Sequence, residues 1–194
     1  TEGQKHAGMA SARGILRKRS ERPAAGDLIR FEATDDPVFP YRILEIKDRR
    51  NALPRPQVAN IDQLLLVFAV KNPDPDFLLL DKLAAMAASQ NIDILITCTN
   101  IDLMHDKEAA IEEMKKRYGN TGWPLYFSEG KMTGDKDFVL PEDVLDALRD
   151  DLEGKVTAMA GPSGSGKSTL LNHLAEERHM ETGEVSDKLG RGRH

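Results

Sequence analysis

A single cysteine, Cys98, is all the thiol chemistry this 194-residue chain has. An internal disulfide framework is therefore excluded, and the usage suits a reducing compartment such as the cytoplasm. Cys98 lies in an apolar run, where a thiol is expected to be buried and inert. No apolar stretch approaches the roughly 20 residues that cross a bilayer, so no membrane partner is expected. The N-terminus lacks an apolar signal core. "MASARGILRKRS" is Arg- and Ser-rich and acid-poor, like an organelle-targeting peptide, but reads better as a basic strand pair. The histidines show no metal-ligand spacing with cysteine or acids, which leaves this chain without zinc ligands. Repeats and low-complexity tracts are also missing.

What is present allows a buried core and a soluble surface: 40% of the residues are hydrophobic and 30% charged. The net charge of −5 hides an asymmetry. Residues 1–58 carry 12 Lys/Arg against 8 Asp/Glu, a net of +4, whereas the remaining 136 carry 15 against 24, a net of −9. A basic N-terminal third beside an acidic remainder suggests that the first part touches an anionic partner.

Two textures meet near residues 55–60. Before them lie "ARGILRKR", "GDLIRFEA" and "YRILEIKDR", short strand-like pieces separated by Gly, Pro and Asp turns, which indicate a small all-β unit. After "LPRPQVAN" comes "IDQLLLVFAV", a near-continuous apolar run of the kind found in a parallel strand covered on both faces. "DFLLLDKLAAMAASQ" has helical spacing and an acidic first turn. "IDILITC" is a second buried strand, and "DKEAAIEEMKKRYG" a helix ending in basic residues and Gly. "WPLYF", the helix "PEDVLDALRDDL" and the strand "KVTAMA" follow. The alternation predicts an α/β sheet with crossover helices.

The last strand opens into Gly161, Pro162, Ser163, Gly164, Ser165, Gly166, Lys167 and Ser168, which match G-x-x-x-x-G-K-[ST], followed by Thr169 in a helix. Glycines let the backbone turn so that successive N–H groups converge on phosphate oxygens, and the helix N-terminus adds partial positive charge. Lys167 is expected at the β- and γ-phosphates and Ser168 on Mg²⁺. A nucleoside triphosphate is the expected ligand, and the loop alone does not say which one.

In most proteins with such a loop the base-reading segment follows it. Here the candidate precedes it. "ILITCTNIDL" ends a strand at Thr99, Asn100, Ile101 and Asp102, at the carboxyl edge of the sheet where ligands sit. GTPases place N-K-x-D there. The Asp accepts from guanine N1–H and N2–H₂, adenine offers neither donor, and the stranded carboxylate costs about 1–3 kcal/mol. Thr99 and Asn100 replace the Asn and Lys of that motif. A plain strand-end turn capping the next helix is the alternative reading. Residues 128–134, "SEGKMTG", fall where GTPases carry an S-A-K-like loop, though an ordinary surface loop fits them better.

A β-barrel-like N-terminal unit, "RPQVANIDQLLLVFAV", the base-side turn, "GKVTAMAGPSGSGKSTLLN" and "TGEVSDKLGRGRH" together resemble the RsgA (YjeQ/YloQ) family of circularly permuted GTPases. The resemblance covers most of the chain. It implies an OB-fold RNA-binding domain over residues 1–58 and a permuted GTPase domain over 59–194, and Zn²⁺ only in a C-terminal domain beyond this chain. It implies hydrolysis of GTP in late maturation of the small (30S) ribosomal subunit, stimulated by that subunit, by a monomer that engages ribosomal RNA and not DNA. Lys167 and Ser168 would be catalytic, residues 161–169 would hold the phosphates, and residues 99–102 the base. The basic unit would meet RNA phosphates through some of Arg13, Arg17, Lys18, Arg19, Arg49 and Arg50, and Phe31, Phe39 and Tyr41 serve either stacking or core. Two departures stand out. The motif lysine is Asn100, and the sequence stops before the switch threonines, the D-x-P-G loop and the zinc-site cluster, as expected of part of a longer protein. The competing expectations are an RNA-associating factor that holds GTP as a latch, and an ATP-binding domain.

Overall fold

The computed structural model describes residues 8–12, 22–128 and 141–181, with side chains as far as Ala175. Strands β1 (Ala10–Ala12), β2 (Ile29–Ala33) and β3 (Tyr41–Ile46) form a small sheet with β3 central, parallel to β1 and antiparallel to β2. The first expected strand, "ARGILRKR", falls almost wholly outside the described residues, as do Arg13, Arg17, Lys18 and Arg19. Residues 52–59 hold a feature that sequence reading missed. Where two textures were expected merely to meet, β4 (Ala52–Pro54) and β5 (Gln57–Ala59) pair as an antiparallel ribbon. Pro54 and Pro56 read as loop residues, but a two-stranded ribbon tolerates prolines at its end and in its turn, where no ladder N–H is required.

The second sheet answers the expectation of alternating strands and helices. Strand β6 (Gln63–Ala69) is buried at every position. Its side chains alternate between faces. Leu64, Leu66 and Phe68 pack with Leu80, Leu83, Ala84 and Ala87 of α1 (Phe77–Ser89) and Met114 and Tyr118 of α2 (Lys107–Tyr118). Leu65 and Val67 pack on the other face with Leu145 and Leu148 of α3 (Glu142–Leu152) and Leu170 of α4 (Lys167–Glu181). Covering both faces requires apolar residues at successive positions, which explains the unbroken run. With β7 (Asp93–Thr99), β8 (Leu125–Phe127) and β9 (Thr157–Ala160), the described sheet is parallel throughout, in the order β8-β7-β6-β9.

Local signals place the helices. Asp76 caps α1 by accepting from the Leu79 N–H at 2.9 Å, so the acid expected in the first turn is the cap itself. Pro141 precedes α3, with Glu142 and Asp143 in its first turn, as anticipated. α2 ends as expected, with Lys115, Lys116 and Arg117 in its last turn and Gly119 as its cap; Gly119 has right-handed φ −62° and leads into a 3₁₀ turn, and a left-handed backbone comes at Gly122, φ +78°.

Polar side chains join the two sheets at the amino-terminal edge of the larger one. The buried Asn51 mimics a strand, donating from Nδ2 to the Ile61 carbonyl (2.8 Å) while its Oδ1 accepts from the Ile61 N–H (3.0 Å). Asn60 donates to the Gly26 carbonyl at 3.0 Å. Gly26 has φ +89°, and a Cβ there would lie 2.1 Å from the Ala59 carbonyl oxygen, so nothing larger fits. Arg50 donates to the Asn60 carbonyl (2.8 Å) and to Asp62 Oδ1 (2.6 Å). Asp62 Oδ2 in turn accepts from the Val156 N–H at 2.7 Å, just before β9. That N–H, and then the Arg50 guanidinium, hold the Asp62 carboxyl below its ordinary pKa.

Candidate nucleotide site

The carboxyl ends of three parallel strands build the site. The register sets Ala69 beside Thr99 and Leu66 beside Ala160, so the segments leaving β6, β7 and β9 all emerge at one edge. The glycine-rich loop starts hard against β6: a Cβ on Gly161 would lie 1.8 Å from the Val67 carbonyl oxygen. Only glycine can stand where the chain passes that close. Beyond it, Gly164 and Gly166 take φ +79° and +85°. Ser165 is buried and its N–H reaches the Pro162 carbonyl at 3.4 Å, while the Lys167 ammonium donates to the same carbonyl. Ser163, Gly164 and Ser168 are exposed; Pro162, Gly166, Lys167 and Thr169 are half-buried. The first N–H groups of α4 have no acceptor within their own helix.

The turn at residues 99–102 lies against this loop. Thr99 is fully buried and its hydroxyl donates to the Ser165 carbonyl at 3.0 Å, across 66 residues of sequence. Its side chain thus braces the phosphate loop and is directed into the protein. Asn100 takes a left-handed backbone, φ 62°, and donates from Nδ2 to the carbonyls of Lys71 (2.9 Å) and Asn72 (3.0 Å). Ile101 is buried and its N–H reaches the Ser128 carbonyl at 3.3 Å. Asp102 follows, half-buried in the 3₁₀ turn Ile101–Leu103.

Ser128, the first residue of "SEGKMTG", extends the end of β8: its N–H donates to the Cys98 carbonyl at 2.9 Å. Its hydroxyl is buried and has no hydrogen-bond partner among the described residues. The rest of that segment lies outside them. Cys98 is buried beneath the turn, and burial pushes its thiol pKa far up, as expected of an inert cysteine.

Two features of the surroundings escaped sequence reasoning. The loop after β6 is a third element of the edge, and nothing in "KNPDP" announced it. Arg49 and Arg50, counted as candidate RNA contacts, have internal partners. Arg49 is bidentate to Asp27 (2.7 and 2.9 Å) and also reaches the Arg22 carbonyl (2.8 Å), while Arg50 serves the junction described above. Of the candidate aromatics, Phe31 is 51% and Phe39 36% exposed, so neither is core.

A family model described as RsgA GTPase matches residues 46–194. The chain is 40% identical over 182 residues to the "Small ribosomal subunit biogenesis GTPase RsgA" of Alkaliphilus metalliredigens, covering 94% of this chain and 59% of the relative. It is 41% identical over 184 residues to the protein of that name from Limosilactobacillus fermentum, with the same coverage. The chain therefore spans a little under three-fifths of these curated relatives. Among solved structures, YjeQ from Thermotoga maritima is similar at TM-score 0.62 and 30% identity, over 85% of this chain and 55% of that one. YloQ, a circularly permuted GTPase, is similar at TM-score 0.59 and 33% identity, over 88% of this chain and 56% of that one. On the family match over residues 46–194, the protein belongs to the RsgA GTPase family.

Proposed function

We propose that this chain binds GTP and hydrolyses it to GDP and phosphate in late maturation of the small ribosomal subunit. One observation carries the reading: the Thr99 hydroxyl bonds the Ser165 carbonyl, so the base-side turn and the phosphate loop adjoin despite their swapped order. A single purine nucleotide then spans both. Asp102, three residues beyond the brace, accepts from guanine N1–H and N2–H₂. Backbone N–H groups over residues 161–169 hold the phosphates, for which the positive φ values of Gly164 and Gly166 are suited. Lys167 neutralises charge on the β- and γ-phosphates as the terminal bond breaks.

The residues present also fit Mg²⁺. Ser168 offers an exposed hydroxyl in the first turn of α4. Among the described residues no group of three or more His, Cys, Asp or Glu could hold a metal. The cation proposed there is one held mainly by phosphate oxygens and water together with the Ser168 hydroxyl. Bound there, Mg²⁺ would offset charge on the bridging phosphate oxygens.

The names of the relatives support the small ribosomal subunit as partner; contact with its RNA and a cytoplasmic location are proposed along with that partner. Residues 1–58 form the proposed OB-fold RNA-binding domain and 59–194 the permuted GTPase domain. Arg49 and Arg50 already have partners within the chain, so the RNA phosphate contacts are proposed to come chiefly from Arg13, Arg17, Lys18 and Arg19.

Displacement of a fluorescent mant-GTP probe by GTP, GDP and ATP tests the reading. Lys167→Ala should abolish binding, and Asp102→Asn should shift preference towards xanthosine nucleotide. ATP displacing the probe as well as GTP does, or guanine selectivity unchanged in Asp102→Asn, would sink it. Single-turnover hydrolysis with and without small subunits separates an enzyme from a latch.

A further inference from the structure

We infer that Asn100 is a positioning residue for nucleotide binding, clamping the loop after β6 (residues 71–73) against the base-side turn so that this loop becomes a third wall of the site. The inference rests on the nucleotide-binding reading above. The motif position that Asn100 occupies carries, in N-K-x-D, a lysine that packs over the base. Asparagine brings no cation and is too short to cover a ring, so its contribution has to be of another kind.

The geometry supplies it. Asn100 stands at φ 62°, ψ 31°, a left-handed backbone that Asn tolerates better than most residues. From there its amide nitrogen, which carries two hydrogens, reaches two carbonyls, Lys71 at 2.9 Å and Asn72 at 3.0 Å. Immediately before the loop, the Val70 N–H donates to the Thr99 carbonyl at 2.9 Å, extending the β6–β7 ladder by one step. Three bonds thus tie the end of β6 and its loop to residues 99 and 100. On its other side the loop meets the phosphate loop, since Pro73 Cδ would lie 3.7 Å from a Cβ on Gly164. Residues 71–73 therefore lie beside both halves of the site, bonded to one through Asn100 and approaching the other at Pro73. A nucleotide between those halves presses on this loop, and the clamp determines how readily it yields.

The test compares mant-GDP release, by stopped flow, from the full chain and four variants. Asn100→Gly keeps the left-handed backbone at little cost and deletes both hydrogen bonds. It should release mant-GDP about tenfold faster, which corresponds to two modest hydrogen bonds. Asn100→Asp keeps the size but sets an acceptor-only carboxylate against both carbonyls, and should release mant-GDP at least as fast as Asn100→Gly. Pro73→Gly loosens the same wall and should also speed release, and the double variant Asn100→Gly with Pro73→Gly should be little faster than either single one, because both act through one element. A melting temperature that falls in Asn100→Gly while release stays unchanged reduces Asn100 to a structural residue and overturns the inference. So do fully additive rates in the double variant. Wild-type protein that does not bind mant-GDP overturns the nucleotide reading itself, and the clamp with it.

Discussion

Strands β2 and β6 show how differently the two regions of the molecule are held. Every residue of β6 is buried and every residue of β2 is exposed. β6 is fixed by apolar contacts on both faces, at about 25 cal/mol per Å² removed from water. β2 pairs with β3 through charges set opposite one another, Arg30 with Glu45 (3.0 Å) and Glu32 with Arg42 (2.9 Å), and through Phe31 edge-on to Tyr41 at 5.2 Å. Exposed pairs of that kind are worth little. The small N-terminal sheet therefore leans on its better-buried polar anchors, Asp27 with Arg49 and Asn51 with Ile61, and through the latter on the parallel sheet.

Substitutions that set burial against charge should sharpen this contrast. Leu66→Ala, in the middle of β6, is expected to cost about 3 kcal/mol in urea unfolding, and a loss under about 1 kcal/mol would break the comparison. Asn51→Ala strands the Ile61 N–H and carbonyl in a buried place and should cost about 2 kcal/mol. Arg49→Met should cost about 1 kcal/mol at pH 7, with a characteristic pH dependence. The Arg49 guanidinium holds the Asp27 carboxyl below the ordinary carboxylate range. The stability this gives is present above the unfolded value of about 4 and is lost as pH falls through the lower folded value. The gap between wild type and Arg49→Met should therefore narrow below about pH 4 in unfolding measured across pH. Smallest of all, Arg42→Ala on the exposed face should change stability by no more than about 0.5 kcal/mol.

The parallel sheet was legible in the sequence because its signals are local. The run at 64–70 admits few arrangements other than a strand covered twice, and the glycines and lysine at 161–167 sit between strand and helix as phosphate binding requires. What stayed hidden depends on partners distant in sequence. Nothing about "NALPRPQVAN" says that Asn51 will act as a piece of strand for Ile61, or that its prolines will close a ribbon. Nothing local to Thr99 shows that its hydroxyl will meet the Ser165 carbonyl, 66 positions on. Asn100 reads as a lost lysine until the carbonyls at 71 and 72 appear beside it. Arginines 49 and 50 read as free cations because their acceptors, Asp27 among them, come from other turns of the chain.

The junction at Asp62 bears on amide hydrogen exchange. Val156 donates its N–H to the Asp62 carboxylate (2.7 Å) and its carbonyl accepts from the Asp62 N–H (2.8 Å). β9 lies at the end of the strand order among the described residues, where protons ordinarily exchange by fraying. Here exchange of the Val156 amide requires its bond to Asp62 to open, so deuterium uptake at that one position reports on how firmly the segments leading into β6 and β9 are held together.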